Sequence, residues 1–206
     1  MKNGILYTFF KLIFDNFRFL TIVEFFKFIA KKINPKKNNV ESKLTYSRNA
    51  VDVFILLKWI FILMIAKLSF SNNFITVFVW YLLITNIYSY FYYHIWSDEA
   101  LNTESFEKDR IRRRFLNLML AVGFSNLCFA YLYKLPYQVD FDWSNNNITF
   151  LKAIWFSLSN SFGGNYDAVK PINDFSNSVS MVQLISTFIF ITIILGKSIP
   201  QTNSKK

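Results

Sequence analysis

The chain has 206 residues, of which 53% are hydrophobic and 20% aromatic, and it carries a formal net charge of +10. The apolar residues gather in long runs with the charges pushed between them, which excludes a globular domain built round one core and points to an integral membrane protein. A single cysteine, Cys128, and a single histidine, His94, exclude a disulfide framework, a cysteine-rich metal site and a cysteine–histidine centre.

Residues 4–33 are rich in phenylalanine but carry Lys11, Asp15, Arg18, Glu24, Lys27 and Lys31. At about 100° per residue, Lys11, Asp15 and Arg18 share one helix face, while Glu24, Lys27 and Lys31 share the opposite one. One straight amphipathic helix does not switch faces. The pattern predicts two short amphipathic helices with a bend near residues 20–21, lying at the cytoplasmic surface. The alternative is a fifth span, at the cost of burying those charges in lipid. No cleavable signal pattern is expected, and the polar stretch 34–49 reads as a linker.

A spanning helix needs about 20 mostly apolar residues. Four segments qualify: 51–70, 74–96, 115–133 and 179–199. The second ends in a belt of Tyr92, Tyr93, His94 and Trp96, and the third holds Cys128 as a packing residue. Lys58 lies inside the first span, where a charge is a functional candidate unless it snorkels to the interface. The apolar piece 148–158 is too short to span and reads as re-entrant or interfacial. The basic stretches "KKINPKKNNVESK", "KDRIRRR" and "GKSIPQTNSKK" fall on one side of a four-span chain. The positive-inside bias then places both termini in the cytoplasm of a multi-pass protein of the cell's inner (plasma) membrane. No span carries a regular arginine ladder, so a voltage sensor is not expected.

Between the third and fourth spans the chain reads "NITFLKAIWFSLSNSFGGNYDAVKP", followed by "MVQLISTFIFITIILGKSIP". A short apolar helix, a glycine-broken polar turn, a proline and a spanning helix resemble the two-span pore module of tetrameric potassium-type cation channels, over roughly residues 115–200. Trp155, Phe156 and Ser157 match the aromatic pair and serine of that family's pore half-helix. Gly163 matches its first filter glycine, Asp167 the acidic residue after the filter, and Pro171 the proline beyond. The resemblance implies a homotetramer with a selectivity filter at Ser161, Phe162, Gly163, Gly164, Asn165, Tyr166 and Asp167. The filter departs from the family: Gly164 replaces its tyrosine, Asn165 its second glycine, and Tyr166 is an insertion. Filter carbonyls replace an ion's hydration shell, and these departures point to a wider pore, weakly selective for monovalent cations.

On the last span Gln183, Ser186, Thr187, Phe190, Ile194, Lys197 and Ser198 share one face at helical spacing. With its polar members toward the filter, this face is a candidate pore lining, and Phe190 and Ile194 a candidate hydrophobic gate. The alternative is that the face packs on a neighbouring helix, with Gln183 and Thr187 bonding across it.

The expected fold is therefore an all-α integral membrane protein with four transmembrane helices, a re-entrant pore half-helix and N-terminal interfacial amphipathic helices. It divides into residues 1–49 (amphipathic helices and basic linker), 50–114 (two peripheral spans and a basic loop) and 115–206 (pore module). Lys31, Lys32, Lys36, Lys37, Arg110, Arg112, Arg113 and Arg114 make a basic cytoplasmic face for membrane lipid headgroups or for an anionic nucleotide or oligonucleotide. A gated pore with such a face is similar to the small channel-like effectors of bacterial antiphage defence, such as the Hailong type, although no local motif carries that likeness. The competing class is a non-conducting membrane scaffold or sensor. No metal cluster, histidine-centred triad or phosphate loop suggests an enzyme, no cofactor is expected, and no soluble protein partner is identifiable.

Overall fold

The computed structural model describes residues 4–33, 40–96, 108–144 and 147–198. Lys36 and Lys37 of the expected basic face lie outside the described residues, as do the side chains of Arg110, Arg114 and Ile194. The protein is mostly helical, and four helical stretches are long and apolar enough to cross a membrane: Thr45–Lys67, Asn73–Phe91, Phe115–Lys134 and Asp174–Ile193. It is a multi-pass membrane protein. The chain forms two compact units, Met1–Phe61 and Ile62–Lys206.

In the first unit, α1 (Ile5–Phe17) leads through a 3₁₀ turn (Arg18–Leu20) into α2 (Ile22–Ile33). The break is at Thr21, whose backbone is extended (φ −84°, ψ 133°). Its hydroxyl donates to the Arg18 carbonyl at 2.8 Å, and its own carbonyl accepts from the Glu24 amide at 3.1 Å. The side chain thus stops one helix while the backbone starts the next. Glu24 bonds Lys27 at 2.9 Å and approaches Arg18 at 3.8 Å. Phe26 of α2 packs on Phe54 of α3 (Val40–Lys67), and the ammonium of the buried Lys58 lies 5.9 Å above the Phe54 ring. Arg112 is exposed and Lys31 and Lys32 are exposed, while Arg113 is half-buried.

In the second unit, α3 ends at a turn in which Ser69 adopts a left-handed conformation (φ 50°). The Phe70 amide reaches the Ile65 carbonyl and the Ser69 amide the Ala66 carbonyl, which closes a Schellman cap. Asn72 then caps α4 (Asn73–Phe91), accepting from the Ile75 amide at 2.8 Å. A five-residue π-helical turn (Tyr92–Trp96) extends α4. α5 (Lys108–Lys134) crosses α4 with small residues at the contact. The Asn86 amide group donates to the Ala121 carbonyl and the Tyr90 hydroxyl to that of Asn117. Leu118, Ala121 and Phe190 form a core against which Ile87, Tyr90 and Val122 pack.

After α5 a 3₁₀ turn (Gln138–Asp140) leads into β1 (Phe141–Trp143), which pairs antiparallel with β2 (Val169–Pro171). Phe141, Trp143 and Val169 face inward, whereas Asp142 and Lys170 face outward. Between the strands runs α6 (Phe150–Ser161), and after them α7 (Asp174–Ser198). α7 begins earlier than hydropathy suggests because Asn173 caps it, accepting from the Ser176 amide at 2.8 Å. The cap lets the polar residues 174–178 join the helix.

Candidate functional site

The segment from α6 to β2 leaves the two-stranded ladder and returns to it. At its start the Thr149 hydroxyl caps α6, and the Lys152 ammonium donates to the Ser144 carbonyl at 3.1 Å. At its end the Ser144 amide donates to the Ala168 carbonyl at 3.0 Å, extending the ladder. Between these points α6 runs 12 residues, roughly 18 Å, away from the ladder. Its first half is held by rings: Phe156, Tyr133 and Phe141 contact one another with centroids 4.9–5.7 Å apart.

The far end of α6 stops at its two glycines. The Gly163 amide donates to the Asn160 carbonyl at 3.0 Å and the Gly164 amide to the Ser159 carbonyl at 2.8 Å. With Gly163 left-handed at φ +68°, this is a Schellman cap. Gly164 is needed for a second reason, since a Cβ there would stand 2.9 Å from the Ser159 hydroxyl. The pair of glycines is therefore first a helix stop. Phe162, Gly163, Gly164 and Asn165 lie exposed beyond it, followed by Tyr166 and by Asp167, which pairs with Lys170 at 3.3 Å on the surface.

Ser161, expected at an open filter, is instead the last residue of α6 and is buried. It belongs to a polar network that joins α5, α6 and α7 and centres on Gln183, which is fully buried. The Gln183 Nε2 lies 3.0 Å from Asn126 Oδ1, 2.8 Å from the Ser157 carbonyl, 2.6 Å from Ser157 Oγ and 2.9 Å from Ser161 Oγ. Its Oε1 accepts from the Tyr133 hydroxyl at 2.6 Å and from Asn160 Nδ2 at 2.9 Å. Ser157 donates to the Asn126 carbonyl at 2.8 Å, and Ser161 to Asn126 Oδ1. Two carbonyls fix the amide orientations. Ser157 O can only accept, so it faces the Gln183 nitrogen; Ser180 O, 2.9 Å from Asn160 Nδ2, fixes Asn160 in the same way.

Two distances place this network along the helices. Asn126 is about two turns, roughly 12 Å, from the Lys134 end of α5. Gln183 is about two and a half turns, roughly 14 Å, from the Asp174 start of α7. The turn after α6 therefore lies near the middle of both candidate spans.

The remaining expected pore residues are also inside the chain. Phe190 is fully buried, with its ring 6.0 Å from that of Tyr90, and Thr187 is buried with its hydroxyl on the Gln183 carbonyl. Residues buried within one chain do not line a passage between copies, so in this structure the Gln183–Thr187–Phe190 face is a packing face. The open face of α7 carries Ser178, Met181, Ile185, Phe188 and Thr192. Of the half-helix residues, Ser157 and Phe156 point inward and Trp155 is exposed. Asn126, Asn160 and Tyr133 were not singled out from sequence. The available signal was a lone asparagine in the apolar run "GFSNLCFAYL". Among the described residues no cluster of acidic, histidine or cysteine side chains could hold a metal.

The chain matches no known protein family, no curated protein and no solved structure.

Proposed function

We propose that the chain is the subunit of a homotetrameric pore, weakly selective for monovalent cations. One observation carries the reading. The exposed turn 162–165 lies near mid-depth of two candidate spans. In a bilayer, irregular backbone at that depth must be covered by protein or must line water. A helix that enters between two spans, stops at a glycine cap and returns to its own ladder presents such backbone to a shared axis. The lining role expected of Gln183, Thr187 and Phe190 passes to the open face of α7, with Met181, Ile185 and Phe188 as its apolar constriction. Gating by an anionic ligand on the cytoplasmic basic residues, and a role as a depolarising defence effector, belong to this proposal. Reconstitution in liposomes tests it: the pore reading expects cation flux and a four-subunit assembly by mass photometry.

A non-conducting scaffold is the second reading. The Schellman cap accounts for both glycines, and the cross-helix network for Gln183, without any ion. Sealed liposomes at all ligand conditions, with the protein folded and inserted, would favour it.

A further inference from the structure

We infer that the Gln183 carboxamide is a positioning residue for the 162–165 turn, acting through Ser157 and Ser161. For its ionic consequences the inference rests on the pore reading; its structural claim does not.

The two halves of α6 are fastened differently. The first half is tied to the ladder by the Thr149 cap, the Lys152–Ser144 bond and the Phe156–Tyr133–Phe141 rings. The second half is tied to α5 and α7 by hydrogen bonds that converge on Gln183 and Asn126. Ser161 ends the helix immediately before the turn, so the amide bonded to it sets where the turn begins. Gln183 supplies two N–H donors and a carbonyl. The donors meet groups of α5 and α6, and the carbonyl meets Tyr133 of α5 and Asn160 of α6. A methionine has nearly the same volume and reach but offers neither donor. Its substitution empties the hydrogen bonds without opening a cavity, and the first half of α6 keeps its own fastenings.

The loss is therefore local. In the folded protein held in nanodiscs, hydrogen exchange reports the Gly163 and Gly164 amides, both bonded in the cap, separately from those of the β1–β2 ladder and the first turn of α6. Gln183→Met is expected to speed exchange at Gly163 and Gly164 about tenfold, the equivalent of one net hydrogen bond, with the ladder unchanged. Ser161→Ala, a milder change, should act in the same direction. The double variant should equal Gln183→Met alone, because both act through one contact. Uniform acceleration across α6 and α7 would make Gln183 a plain stability residue and overturn the inference, as would unchanged exchange at the glycines. If the reconstituted protein conducts, Gln183→Met should also shift the bi-ionic reversal potential. If it does not conduct, the pore reading fails while the exchange result still decides the role of Gln183.

Discussion

Gly164 donates its amide to the Ser159 carbonyl at 2.8 Å, and the same residue's hydroxyl stands 2.9 Å from where a Gly164 Cβ would be. One serine thus both receives the end of α6 and forbids a side chain there. Gly164→Ala is expected to displace the Ser159 side chain and loosen the cap, and Ser159→Ala should recover part of the loss by removing the nearest atom. The cycle is read by thermal unfolding in detergent. Gly163→Ala fails for a different reason, the left-handed backbone, at a cost of about 1–2 kcal/mol that no change at Ser159 relieves.

The α3–α4 turn provides the opposite test. Ser69 occupies the left-handed cap position that Gly163 fills in α6, but with a side chain. Ser69→Gly removes that strain and is expected to raise stability by up to about 1 kcal/mol, less whatever the added freedom of the unfolded chain costs. A raised unfolding midpoint with unchanged helicity checks it.

The four candidate spans were legible because hydropathy over 20 residues is a strong signal, and the break at Thr21 was legible because the charges of residues 11–18 and 24–31 change faces. The network was not, for a physical reason. A stripe such as Gln183, Thr187 and Phe190 has the same spacing whether it faces water or Asn126 on another helix. Periodicity gives the face and leaves its partner open. The β1–β2 ladder was missed because three residues a side, "FDW" and "VKP", are too short for alternation to show. The double glycine was read as backbone for ions, while its N–H groups are spent on ending α6.

Asn173 holds two groups at once: it caps α7 through the Ser176 amide, and its Nδ2 donates to Asp140 at 2.8 Å. Asn72 has the cap alone. Asn72→Ala should cost about 1 kcal/mol. Asn173→Ala should cost more, about 2 kcal/mol, since it also releases the 3₁₀ turn before β1. Comparing the two unfolding midpoints checks the difference, and Asp140→Ala should narrow it.

Phe188 and Phe190 separate packing from lining on α7. Phe190 is fully buried against Leu118 and Ala121, so Phe190→Ala should open a cavity and cost about 3–5 kcal/mol. Phe188 is 66% exposed on the open face, and its truncation should leave stability within about 0.5 kcal/mol. If that face lines the passage, Phe188→Ala raises basal cation flux in liposomes, because a smaller side chain wets a hydrophobic constriction. Flux that responds to Phe190→Ala in protein of unchanged stability, and not to Phe188→Ala, would return the gate to the buried face and require α7 to rotate on opening.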